Sequence, residues 1–167
     1  WEIVPDLPDG LIFDNGTISG TPTVNMTLST FLIYANNSGG SALVGISLTI
    51  LEPAPTITYQ TDYLILTRGE EMPSALHAIF GGGAVSSFNV EPELPNGLNF
   101  TNGTIFGTPT VNSSLVQYNI TAINNGGSDY FLLNITILEP VAILDVETNY
   151  FELTRSETEM NLTLNNT

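Results

Sequence analysis

Apolar and polar residues alternate along most of this chain, and Gly, Pro or Asn interrupts the alternation every ten residues or so. Successive side chains of a strand point to opposite faces, so this is the pattern of short strands with one side in a core. Between residues 54 and 140 it predicts strands over 56–59, 63–66, 75–80, 87–90, 116–124 and 130–138, with short bridges near 98–100 and 104–106. The two long strands set the inward face: Val116, Tyr118, Ile120 and Ala122 on one, Phe131, Leu133, Ile135 and Ile137 on the other. Phe31, Ile33 and Ala35, then Val44, Ile46, Leu48 and Ile50, give the same parity earlier in the chain. Gly126-Gly127, after Asn124-Asn125, offers the positive-φ residues of a hairpin between the long strands. No segment sustains a helical period. The expected fold is all-β, two stacked antiparallel sheets with Trp1 and Phe88 as aromatic plugs.

The polar interruptions repeat as words. Leu7-Pro8-Asp9-Gly10-Leu11 returns as Leu94-Pro95-Asn96-Gly97-Leu98, Asn15-Gly16-Thr17-Ile18 as Asn102-Gly103-Thr104-Ile105, and Ile50-Leu51-Glu52-Pro53 as Ile137-Leu138-Glu139-Pro140, always 87 residues on. Residues 1–53 align with 88–140 without a gap, and 28 of the 53 positions are identical, so the chain is built from duplicated units. The period continues more weakly, with Tyr63, Leu66, Thr67, Arg68 and Glu70 recurring as Tyr150, Leu153, Thr154, Arg155 and Glu157. Glu52-Pro53-Ala54-Pro55 reads as a joint, with Glu139-Pro140 as its counterpart. Boundaries there give the C-terminal part of one unit (1–53), a complete unit (54–140) and the N-terminal part of a further unit (141–167). The 167 residues equal two periods of 87 less a seven-residue loop like 81–87. Two arrangements fit: one window on a longer periodic chain, or a subunit whose residues 141–167 complete residues 1–53 of a neighbouring copy.

Leu94-Pro95-x-Gly97-Leu98-x-Phe100, Asn102-Gly103-Thr104-Ile105-x-Gly107-Thr108-Pro109, Tyr118-x-Ile120-x-Ala122 and Asn124-x-Gly126-Gly127 together resemble the "Putative Ig domain" repeats of large bacterial and archaeal surface proteins. They are also similar to cadherin-like and dystroglycan-type modules. The resemblance covers 54–140 and 1–53 and is weaker in 141–167. It implies tandem immunoglobulin-like β-sandwiches displayed outside the cell, in a family that mostly supplies spacers, stalks and adhesive arrays. It implies no activity, because a fold alone does not carry one.

Charge then narrows the function. The chain has 17 Asp+Glu against two Lys+Arg, a formal charge of −15, yet only 11% of its residues are charged. Two cations cannot neutralise a run of phosphates, which excludes nucleic acid as a partner and argues against an anionic membrane surface. No run of about 18 apolar residues is present to span a membrane. Without Cys there is no disulfide framework, thiolate nucleophile or thiolate-ligated metal. His77 is the single imidazole and alternation turns it to solvent; alone it forms neither a triad nor a zinc site. The carboxylate pairs Asp6/Asp9 and Glu91/Glu93 sit in or beside exposed turns rather than in a cleft. The chain is read as no enzyme.

The uncharged surface carries a different chemistry. Ten Asn-x-Ser/Thr triplets occur, at Asn15, Asn25, Asn36, Asn99, Asn102, Asn112, Asn119, Asn134, Asn161 and Asn165. This composition would yield roughly three to five by chance. Asn119 and Asn134 lie between inward residues and so point outward, as a glycan acceptor must. Dense N-glycosylation of a Cys-free repeat of this kind points to an archaeal cell surface. No resident cofactor is expected. Calcium is the one ion to weigh, with Glu52, Asp62, Glu139 and Asp145 near the joints as candidate ligands. Asp9 and Asp14 lie in turns. A hard cation asks for six to eight oxygens, and the chain has no Asp-rich cluster.

The expected function is structural: a segment of an extracellular filament, stalk or surface layer, heavily N-glycosylated. Its partners are copies of itself stacked head to tail. The alternative is an adhesin recognising glycans or a partner surface through aromatics that differ between units, Tyr34, Tyr59 and Tyr130.

Overall fold

The computed structural model describes residues 1–142 and the backbone of 144–145 and 165–166. Asn15-Gly16 and Asn102-Gly103 take left-handed φ angles of 45°, 80°, 48° and 77°. Those angles match the twist of a tight hairpin, and only Gly and Asn adopt them readily. One hairpin joins β2 (Leu11–Asp14) to β3 (Thr17–Gly20), and the other joins β11 (Leu98–Thr101) to β12 (Thr104–Gly107). Leu11 faces Gly20 and Leu98 faces Gly107, the same register one period apart.

The long strands duplicate as closely. β1 (Glu2–Val4) lies on β4 (Met26–Asn37), which pairs with β5 (Gly40–Ile50). β10 (Ser87–Glu91), β13 (Ser113–Asn124) and β14 (Gly127–Leu138) repeat that order. Even the break in register recurs, between Met26 and Ser29 and between Ser113 and Val116.

The second unit has four more strands in front of these: β6 (Pro55–Thr58), β7 (Tyr63–Thr67), β8 (Leu76–His77) and β9 (Ile79–Gly82). β6 pairs with β9, β8 with β12, and β7 with β14. One sheet is therefore β10-β13-β14-β7, facing β11-β12-β8 and the β6–β9 ribbon. Tyr118, Ile120, Leu133, Ile135 and Ile137 meet Ile57, Leu66, Leu98 and Ile105 between them.

Two expectations are corrected here. The sheets are not wholly antiparallel, because β7 runs parallel to β14. The front segment crosses from one sheet to the other between β6 and β7, and that crossing reverses nothing. The single strand expected over 75–80 is two strands. The chain changes partners at Ala78, whose N–H donates to Gly103 O at 3.0 Å.

In the first unit nothing among the described residues stands where β6 to β9 stand in the second. Phe31 is its one buried apolar side chain. The expected plug is correspondingly half right. Phe88 packs on Phe80 and Phe100, with ring centroids 5.7 and 5.5 Å apart. Trp1 is 64% exposed. The backbones of β15 (Leu144–Asp145) and β16 (Asn165–Asn166) pair antiparallel, with Leu144 opposite Asn166. One period earlier Ile57 faces Phe80, so the same stretches meet one residue out of register. The rest of the expected third unit, with Arg155 and Asn161, lies outside the described residues.

Candidate functional site: the joint and the open sheet face

Two prolines leave the joint Glu52-Pro53-Ala54-Pro55 short of N–H donors for a strand ladder, so its other backbone groups find partners outside one. The β13–β14 turn takes them up. Asn124 Nδ2 donates to Pro53 O at 2.7 Å, while its Oδ1 accepts from Gly126 N and Gly127 N at 2.8 and 3.1 Å. Asn125 Oδ1 accepts from Glu52 N at 3.3 Å. Gly127 supplies a positive φ of 152°, but Gly126 does not take one. Gly126 is glycine for another reason: a Cβ there would lie on top of Glu52 O. On the other side of the joint, Asn25 Nδ2 donates to Glu52 Oε1 at 2.9 Å.

The counterpart joint is held differently. Arg68 Nη2 reaches Glu139 Oε2 at 2.7 Å and Nε reaches the same oxygen at 2.9 Å. Arg68 N also donates to Leu138 O at 2.8 Å, so the end of β7 is tied to the end of β14.

The second feature is the inner face of β4 and β5. Ile33, Ala35, Ile46, Leu48 and Ile50 are only half-buried. Their equivalents Ile120, Ala122, Leu133, Ile135 and Ile137 are buried to within 2% of completely. The difference is the cover. In the second unit Ile57, Tyr59, Leu66 and Met72 come from the front segment and join that cluster.

Among the sequons, Asn15, Asn25, Asn36, Asn99, Asn102, Asn112 and Asn119 are exposed. Asn119 and Thr121 share the outer face, as residues two apart on a strand must, and the Thr121 hydroxyl donates to Asn119 Oδ1 at 3.4 Å. Asn134 also faces outward, but it is half-buried and both ends of its amide are engaged. Its Nδ2 donates to Asp62 O at 3.2 Å and its Oδ1 accepts from Gln117 Nε2 at 3.2 Å. Asn161 lies outside the described residues, as does the side chain of Asn165.

The remaining candidates disperse. Among the described residues no three of His, Cys, Asp and Glu gather as a metal site, and Glu139 is taken up by Arg68. Asp62 is exposed, and the side chain of Asp145 lies outside the described residues. His77 is exposed, its Nδ1 3.1 Å from Thr104 Oγ1. Tyr130 is exposed and Tyr34 half-buried, but Tyr59 is not a surface aromatic. It is 7% exposed, its hydroxyl donates to Gly103 O at 2.9 Å, and burial pushes its pKa from 10.0 up to about 12. Among the described residues no helix is long and apolar enough to cross a membrane.

Closed sandwich, doubled register and Gly-rich clamp define an immunoglobulin-like module. The sequence model of the Putative Ig domain family matches residues 54–137, and the chain belongs to that family. No curated protein matches it in sequence. Among solved structures it is similar to the mouse nectin-like molecule 4 ectodomain (Ig1-Ig3) at 18% identity and a TM-score of 0.40, covering 70% of this chain and 42% of that one. The N-terminal four Ig domains of Dscam1 isoform 8.4 match at 15% identity and 0.42, covering 79% and 33%. Sidekick-1 immunoglobulin domains 1-5 match at 14% and 0.42, covering 79% and 30%. The chain thus spans less than half the length of each.

Proposed function

We propose that this chain is a structural segment of an extracellular filament, stalk or surface layer, built from Ig-like units stacked head to tail and dressed with N-glycans. One observation carries the reading: two Ig-like units stand 87 residues apart with the same strand register, down to the same break between Met26 and Ser29 and between Ser113 and Val116. Burial of apolar area is the main drive to association, at about 25 cal/mol per Å². Residues 141–167 of a neighbouring copy are the partner proposed here for residues 1–53, since Leu144, Val146 and Leu153 stand one period after Ile57, Tyr59 and Leu66. The same chemistry repeated from copy to copy is heterologous and open-ended, which makes a filament rather than a closed dimer.

Exposed Asn acceptors on a chain in which 11% of the residues are charged support a coat of glycans. The Ig-like fold supports a scaffold rather than an enzyme.

Sedimentation of the chain over rising concentration tests the assembly. Concentration-dependent growth is expected, with a blue shift of Trp1 fluorescence as its ring is covered. Excess peptide of residues 141–167 should cap open units and shorten the polymers. A chain that stays monomeric at every concentration, with Trp1 unshifted, overturns the reading.

A further inference from the structure

Phe80 leaves a large apolar surface in water although the unit it belongs to is complete. It lies on β9 opposite Ile57, and its ring is tilted against Phe88 with centroids 5.7 Å apart. The ring is still 45% exposed. Its tip rests on the β11–β12 turn, where a Cβ on Gly103 would meet Phe80 Cζ. Asn102, the residue before Gly103, is exposed and held at a φ of 48°. Asn102-Gly103-Thr104 is one of the ten sequons. Acceptor and ring line one groove of about 550 Å³, together with Gly81, Gly82, Val85 and Phe88. Sites for small molecules run to about 300–1,000 Å³.

We infer that this groove is the seat of the first sugar joined to Asn102. The occupant is argued from the groove itself. None of the described residues that line it is charged, so it suits a neutral group. A sugar ring carries C–H groups on one face and hydroxyls around its edge. The C–H face covers the exposed side of Phe80 and takes apolar surface out of water, while the hydroxyls stay wet. Gly81 and Gly82 are exposed and have no side chains to fill the space. The tether is short: a sugar on Asn102 Nδ2 stands at the rim, so its local concentration at the ring is high. Attachment forms a bond from the sugar's anomeric carbon to Nδ2. It breaks that carbon's bond to the phosphate of an activated sugar donor and releases one Nδ2 proton. The seat rests on the glycan reading above and deepens it, because this sugar packs as part of the domain.

Glycopeptide mass spectrometry of native material should find sugar on Asn102. On the same material, proton NMR should show cross-peaks from the first sugar to the Phe80 ring, with the sugar signals moved upfield. Asn102→Asp removes the attachment and keeps a residue that tolerates the left-handed turn. In the glycosylated chain it should lower the melting temperature of the second unit by about 4 °C or more. In chain produced without glycosylation it should change that temperature little. Phe80→Leu keeps an apolar side chain on Phe88 but loses the flat face, so the cross-peaks should vanish and the drop should shrink. Sugar on Asn102 that makes no contact with Phe80, or that leaves the melting temperature as it was, overturns the seat and leaves the glycan coat standing. A bare Asn102 among other occupied sequons does the same. Native material with no sugar at any sequon overturns both.

Discussion

Tyr59 shows how a single side chain can be misjudged and how its place can be checked. It differs from its repeat partner Val146, which invites reading it as a specificity aromatic. Alternation says otherwise: Pro55, Ile57 and Tyr59 share the buried face. Parity was the sound signal, and comparison between units the unsound one. Burial holds the phenol neutral, with its pKa raised from 10.0 to about 12. The raised value fixes the sign. Below pH 10 the stabilisation is fully present. Above it the unfolded tyrosine ionises first, so stability falls as pH rises through 10 towards 12. Tyr118 is raised in the same direction by burial and adds to the loss. Tyr59→Phe should cost about 1 kcal/mol at neutral pH by losing the hydrogen bond to Gly103 O, and should flatten part of the alkaline decline. Denaturant melts at pH 7, 10 and 11.5 measure both. Asn119 and Asn134 give a second check at this scale. A glycan is joined through Nδ2, which is free to face solvent at Asn119 but donates to Asp62 O at Asn134. Glycopeptide mass spectrometry of native material should find sugar on Asn119 and bare Asn134. The reverse pattern would contradict the surface reading.

Strands were legible wherever one face is buried. The long strands and their inward residues follow from alternation, and the hairpins from Asn-Gly, because both signals are local. What escaped was non-local. The change of partner at Ala78 depends on Gly103 O arriving from β12, and the parallel β7–β14 pairing depends on a crossing between sheets. Neither leaves a mark in the period of the side chains. The open face of β4–β5 was readable only through the 87-residue repeat, which supplies a closed copy for comparison. That comparison gives a quantitative expectation. Ile120 sits at 0% exposure in β13, and Ile120→Ala should destabilise the second unit by about 2–5 kcal/mol through lost contacts and a cavity. Ile33→Ala, at the same position of β4, should cost about 1 kcal/mol or less in the dilute chain, because Ile33 has less cover to lose. At concentrations where the chain assembles, the Ile33 cost should rise towards the Ile120 value. Trp1 fluorescence follows the first unit through such melts, and equal costs at all concentrations would mean that the face is never covered.

The two arginines matter most for the molecule as a whole. Arg68 pairs with Glu139, the residue after β14, 2.7 Å away. One period on from Arg68 is Arg155, and one period back from Glu139 is Glu52. In the proposed head-to-tail filament, Arg155 of one copy would come to Glu52 of the next, in the role now filled by Asn25. The intramolecular pair is 44% and 52% exposed, so its copy should contribute only about 0–1 kcal/mol. Reversing one partner does more, because it sets like charges together. Glu52→Arg alone faces Arg155, and Arg155→Glu alone faces Glu52; each should weaken association by about tenfold at low salt. Mixed in equal amounts, the two variants meet in alternation. Every junction then pairs Arg with Glu, and filament growth should return to the wild-type level. Salt should narrow the gap between single variants and wild type, since the charges lie at the surface. Sedimentation equilibrium of each variant and of the mixture decides the matter. Rescue on mixing locates residues 141–167 of one copy against residues 1–53 of the next, whereas single variants that assemble like wild type would remove Arg155 from that junction.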